Sequence, residues 1–255
     1  MPGNGLKKGK FRYIIMTSRN KTARVAGILY LILIIGGIIS LAYIPSQLIV
    51  WESASKTFEN ITNSEFLFRL GIVINIITFL IYIALPLALY KLLHEVNKVY
   101  ANLMVIFVLV SVPISFVNIL NKFSVLKLIN KPEYLEKLGE TGLQTQVMLH
   151  LDNYNNGIVI SQIFWGLWLF PFGYLVYKSG FLPKILGILL MAGCFGYLIT
   201  FFGGFLYPDF NKTIIADIVG YPATLGEFGI CLWLLIMGTN KLNLRKTIGN
   251  IVNKK

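Results

Sequence analysis

Hydrophobic and polar residues alternate along this chain in long blocks rather than at the short periods of a water-soluble domain. Predominantly apolar blocks occupy residues 25–44, 70–93, 101–120, 158–177, 185–206 and 220–238. About 20 consecutive apolar residues, coiled as a helix, cross a bilayer core. The pattern therefore predicts an all-α, polytopic transmembrane helical bundle of about six spans. Pro113 interrupts the third block and Glu227 the sixth. Residues 1–24 and 239–255 read as basic tails on either side of this membrane domain.

Between the blocks the cytoplasmic links are short. HEVNK precedes the third span, and KSGFLPK joins the fourth to the fifth. In the latter, Ser179 and Gly180 break one helix and Pro183 suits the start of the next. The outer connections are longer. In residues 121–156, Leu135, Leu138, Leu143, Val147 and Leu151 recur at spacings of three to five, which predicts short amphipathic helices in the outer loops. One starts near Pro132 and stops near Gly139, and a second runs to about Leu151.

The stretch HLDNYNNG at residues 150–157 ends that loop. Asp152 or Asn153 can cap one segment, Asn155 or Asn156 can cap the fourth span, and asparagine tolerates left-handed turns. Tyr154 suits a headgroup interface. A turn is thus expected, with His150 and Asp152 as outer-loop candidates for a ligand role. No metal site is expected, because the other histidine, His94, falls on the opposite side, and no cofactor motif is present: the chain lacks a glycine-rich phosphate loop, HExxH, GxSxG and CxxC.

Composition strengthens the membrane reading. Of 255 residues, 56% are hydrophobic and 13% charged, and the mean hydropathy is +0.70. So few charges cannot cover a water-soluble globule of this size. The first span follows a basic segment as a signal peptide would, but no small-x-small cleavage site follows it, so a retained span is expected. Cys194 and Cys231 lie inside apolar blocks and form neither a metal pattern nor a disulfide framework.

Charge sets the expected orientation. Sixteen of the 23 lysines and arginines fall on the side of the two tails and the short links. Nine of the 11 acids fall on the other. The positive-inside rule then places both termini in the cytoplasm, in a cell membrane. The net charge of +12 is accounted for by this bias and by anionic headgroups, and no nucleic-acid partner is expected.

Five quoted segments carry a family resemblance: TARVAGILYLILIIGGIIS (22–40), FRLGIV (68–73), ALYKLLHEVNK (88–98), GYLVYKSGFLPKILGILLMAGCFGYLI (173–199) and GEFGICLWLLIMGTN (226–240). In colinear order they resemble the prokaryotic multi-pass membrane family known as domain of unknown function 4386. The resemblance implies six to seven membrane helices and no established activity. It also implies acidic residues where this chain has Asn75 and Thr200, a histidine at Trp168, and an arginine within residues 105–110. Glu227 and Arg69 match the family pattern, so only part of any shared polar site is kept.

Glu227 is the acid set deepest in a span, roughly 16 Å along the helix from Gly238. A charge at such depth costs about 2.5–3.5 kcal/mol on insertion scales, so Glu227 should face the interior. Asn75, Asn118, Ser161, Gln162, Thr200 and Arg69 are its available partners. Gln162, Trp165, Trp168 and Pro171 share a helical face that lines a cavity or packs a helix contact. Pro86, Pro113 and Pro171 should kink their spans, and glycines at 36, 37, 193, 196, 203 and 204 allow close helix approach. The expected function is that of a non-enzymatic membrane protein binding lipid, a small apolar ligand or a membrane partner. The alternatives are a small transporter using Glu227 and an intramembrane enzyme acting on a lipid-like substrate.

Overall fold

Hydrocarbon offers no hydrogen bonds, so apolar blocks of this length must satisfy their backbone groups internally, as helices. The computed structural model describes residues 4–239, and the side chains of residues 18–239 other than Asn211. The basic carboxyl tail beyond residue 239 lies outside the described residues. Among the described residues every regular element is helical: α1 (Asn4–Gly37), α2 (Ile44–Leu48), α3 (Ala54–Asn63), α4 (Glu65–Leu93), α5 (Lys98–Asn130), α6 (Pro132–Leu167), α7 (Leu169–Lys178), α8 (Lys184–Leu206), α9 (Ile214–Val219) and α10 (Tyr221–Ile236). The amino-terminal segment expected as a tail is already helical from Asn4.

Six helical stretches are long and apolar enough to cross a membrane: Ser18–Leu48, Glu65–Leu93, Lys98–Asn130, Pro132–Lys178, Lys184–Leu206 and Ile214–Ile236. Their burial is inverted relative to a helix in water. On α4, Asn75 and Thr78 are buried while Val73, Ile77 and Leu80 are exposed. On α5, Ser111, Ser115, Asn118 and Lys122 are buried while Ile106, Leu109, Val117 and Leu120 are exposed. A soluble helix turns its apolar stripe inward; these helices turn their polar stripe inward, as hydrocarbon surroundings require. The protein is a multi-pass integral membrane protein.

The expected loop at residues 121–156 does not exist. α5 continues to Asn130 and α6 begins at Pro132. Gly139 interrupts α6 with a φ of 67°, as expected for the end of the first amphipathic segment. HLDNYNNG, however, is helical throughout and forms no turn. The reason is packing. The stripe Leu143, Val147, Leu151 is continued by Tyr154 and Ser161, all buried, with the asparagines at 153, 155 and 156 on the exposed face. That stripe overrides the capping preference of asparagine.

Proline acts differently at each site. Pro86 and Pro113 sit inside unbroken helices. Pro171 lacks the N–H that would bond to Leu167, and the chain changes element at Trp168. Ahead of Pro45, residues Ile38–Tyr43 adopt π-helical turns, where the Ile44 N–H donates to the Ile39 carbonyl five residues back.

The described chain divides into two compact units. The first comprises residues up to Leu31, Ala84–Val108 and those from Ile163 onward. In it α8 packs against both α7 and α10. The α7–α8 approach is close: a Cβ on Gly173 would lie 2.6 Å from the Gly187 carbonyl oxygen. The intervening turn places Gly180 at a φ of 72°, while Ser179 Oγ donates to the Val176 carbonyl at 2.8 Å and accepts from Leu182 N–H at 3.1 Å. Asn20 Oδ1 accepts from both the N–H and the hydroxyl of Thr239, at 2.9 and 2.5 Å, tying α1 to the segment after α10. Arg19 pairs with Glu95.

The second unit comprises Ile32–Ile83 and Leu109–Gln162. The short α3 is strongly amphipathic, burying Thr57 and Ile61. Thr57 Oγ1 both accepts from Val50 N–H and donates to the Val50 carbonyl, each at 2.9 Å. The division between units falls within α1, α4, α5 and α6.

Candidate functional site

In the first unit, Glu227 on α10 is partly buried and held by two tyrosines. The Tyr30 hydroxyl, from α1, donates to Glu227 Oε2 at 3.1 Å, and the Tyr197 phenol of α8 is its second hydrogen-bonding partner. Tyr197 is seated by Gly166, where a Cβ would lie 2.6 Å from the Tyr197 Cβ. The Tyr30 ring packs 6.0 Å from Trp168 and 6.4 Å from Phe172. Those two rings stack 5.3 Å apart, nearly parallel at 9°. Tyr30, Trp168 and Phe172 are almost wholly buried. The acid is satisfied by phenols inside a packed aromatic cluster.

Open volume lies elsewhere in this unit. α5, α7 and α8 wall an apolar groove of about 470 Å³, lined by Leu103, Phe107, Phe170, Pro171, Cys194 and Leu198 among others. At one end Tyr100, also a lining residue, stacks on Tyr174 with centroids 4.1 Å apart. No charged side chain lines the groove. It offers van der Waals contact to hydrocarbon and little to a polar solute.

The second unit carries a polar thread. Tyr154 OH donates to Asn75 Oδ1 at 2.8 Å, Asn75 Nδ2 donates to Ser40 Oγ at 3.2 Å, and Ser40 Oγ donates to the Gly36 carbonyl at 2.8 Å. Asn118 Nδ2 donates to the Tyr154 carbonyl at 2.8 Å. The Lys122 ammonium, 5% exposed as a residue, stands 4.0 Å from the centroid of the Tyr154 ring. Ser115 and Ser161 hydroxyls meet at 3.3 Å.

The candidates drawn from the sequence therefore scatter. Glu227 and Thr200, on α10 and α8, belong to the first unit. Asn75, Gln162, Arg69, His150 and Asp152 belong to the second. His150 and Asp152 are not loop residues but lie on α6. The His150 ring nitrogen Nδ1 is 3.4 Å from Asn121 Oδ1, and Asp152 is exposed. Tyr154, expected at a headgroup interface, is buried against Asn75 and Lys122. Arg69 is exposed and its Nε donates to Glu65 Oε1 at 2.6 Å, one turn away. Gln162 and Thr200 are partly buried on their helices. Among the described residues, Glu227 is bonded by two tyrosines and by none of the partners expected for it. Nothing in the sequence reading marks Tyr30, Tyr197 or Lys122. Tyrosines in apolar blocks read as hydrophobes, but Lys122 continues the 3–4 spacing of Ser111, Ser115 and Asn118, a signal that was there to find.

A family model described as "Domain of unknown function (DUF4386)" matches residues 25–238, which include the groove, the Glu227 cluster and the polar thread. An uncharacterized protein of Archaeoglobus fulgidus is 37% identical over 79 residues, which is 31% of this chain and 44% of that protein's length. The chain thus aligns with less than half of that relative. No solved structure matches the chain.

Proposed function

The chain belongs to the domain of unknown function 4386 family, and we propose that it works as a non-enzymatic membrane protein that holds the hydrocarbon chain of an apolar or lipid ligand. The observation that carries this reading is the groove among α5, α7 and α8, open in volume and lined by aliphatic and aromatic side chains. These helices belong to stretches long and apolar enough to lie in a bilayer, so the solvent able to enter the groove is itself hydrocarbon. Glu227 supports the same reading by its engagement: a carboxyl group bonded to Tyr30 and Tyr197 is occupied in holding α1, α8 and α10 together.

The test uses a fatty acid bearing an alkyl diazirine, photolysed with the purified full chain in nanodiscs. Adducts are expected on peptides of α5, α7 and α8, and Leu198→Trp should remove them by filling the groove. Labelling spread evenly over all lipid-facing helices, unchanged by Leu198→Trp, would refute the reading.

Both chain ends lie in the cytoplasm in this proposal, with the bundle in the cell membrane, because sixteen of the 23 basic residues cluster on the side of the tails. A reporter fused after Lys255 should be active only when that end is cytoplasmic. Activity of a reporter that works only outside the cytoplasm would reverse the orientation.

A further inference from the structure

We infer that the groove's occupant is an anionic phospholipid, with an acyl chain lying along α5, α7 and α8 and its phosphate at Lys178 and Lys184. The inference rests on the reading that the groove holds hydrocarbon, and it adds the class of headgroup and the residues that select it.

The groove has a definite end. Its lining along α5 runs from Val99 to Phe107, about 12 Å of helix, and Val99 is the second residue of α5. The groove therefore opens where that helix begins, and an acyl chain entering there leaves its headgroup at the helix end. Tyr100 marks this mouth and stacks on Tyr174 with an interplanar angle of 20°. Cations gather on the adjoining rings. The Lys178 ammonium is 6.0 Å from the Tyr174 centroid and 5.8 Å from that of Tyr177, and the Lys184 ammonium is 5.5 Å from Tyr177. Ring faces steady an ammonium group while leaving its N–H donors free for an anion. Lys178 and Lys184 are both exposed.

Charge complementarity follows from what the same segments lack. Residues 98–130 and 153–208 contain no aspartate or glutamate at all. These segments supply all of the lining and both lysines, so no carboxylate of theirs competes for the cations. Apolar walls whose mouth residue Tyr100 stacks on Tyr174, with Lys178 and Lys184 over the rings of Tyr174 and Tyr177, match an amphiphile with a negative head. Inorganic phosphate would satisfy the lysines but gain nothing from the groove. A zwitterionic lipid would fill the groove but bring a second positive charge to the mouth.

The test reconstitutes the full chain in nanodiscs containing equal phosphatidylglycerol and phosphatidylcholine with identical acyl chains, then identifies retained lipid by native mass spectrometry. Wild type should retain phosphatidylglycerol preferentially. A lysine near a membrane surface favours an anionic lipid by roughly fivefold, so the double variant Lys178→Ala, Lys184→Ala should lose most of the preference while still retaining lipid. Leu198→Trp, or Leu103→Trp should the first fail to fold, should lose both lipids. Excess inorganic phosphate should displace nothing. Wild type that keeps lipid without preference would overturn this inference and leave the hydrocarbon reading standing. A preference that survives Leu198→Trp or the double lysine variant, or that inorganic phosphate abolishes, would also overturn the inference. Wild type that retains no lipid would overturn both.

Discussion

In the first unit, α5, α7 and α8 leave about 470 Å³ walled by hydrocarbon side chains. In the second, the π-helical turns after α1, with α4, α5 and α6, bring Ser40, Asn75, Asn118, Lys122 and Tyr154 together, each atom in contact with its partner. By residue type alone the second region is the better candidate for chemistry, since it holds a lysine, two asparagines and a phenol in a membrane interior. Yet its donors and acceptors are largely spent on one another. Polar side chains bonded to one another make a specific helix contact; space lined by apolar side chains makes a place for a ligand. In a bilayer, where lipid competes poorly for hydrogen bonds, interior polarity is a device for fixing which helices pack together.

Perturbations at four positions sharpen that contrast, taken in order of their expected effect on stability. Gly157→Ala should act most strongly, because a Cβ there would clash with Asn118 Oδ1 and push the amide off the Tyr154 carbonyl. Overpacking of this kind costs about 1–3 kcal/mol, read as a lowered midpoint in thermal unfolding in detergent. An unchanged midpoint would mean that the polar thread is slack. Glu227→Leu comes next. It removes the acceptor used by Tyr30 and Tyr197, at about 1–2 kcal/mol, whereas Glu227→Gln keeps an acceptor and should cost less than half as much. Equal losses for the two would show that charge, rather than hydrogen bonding, holds the cluster. Leu198→Trp should shift stability by less than about 1 kcal/mol, since it extends into open volume, while removing bound lipid. A large loss of stability would show that the groove closes in the native protein. Arg69→Ala should be smallest, below about 0.5 kcal/mol, because its partner Glu65 is one turn away and the arginine is exposed.

The six long helices were legible because membrane thickness sets a length that apolar blocks must meet, and these blocks meet it. The region of residues 121–156 was not legible in the same way. Polarity there reads as solvent exposure, while the structure puts the polar face of α6 outward and continues its buried stripe through Leu151 to Tyr154 and Ser161. Spacing was the true guide, and asparagine's capping preference misled. The Glu227 cluster shows a different limit. Its acid stood out as a charge in an apolar block, but Tyr30 lies 197 positions away, and no local pattern announces a phenol as a partner rather than a hydrophobe. The groove was invisible in sequence because it is an absence: Leu103, Phe107, Cys194 and Leu198 look like any filled core.

The two hydrogen bonds that Thr239 donates to Asn20 bring the segment after α10 beside a point within α1, so the order in which the helices are strung is separable from their arrangement. A rearranged gene that begins at Lys184, runs to residue 239, crosses a short linker to residue 20 and finishes at Lys178 would remove the start of α1 with Arg19, keep the rest of every membrane-crossing stretch and leave that closure in place. Such a circular permutant should still assemble, because the positions it joins already lie side by side.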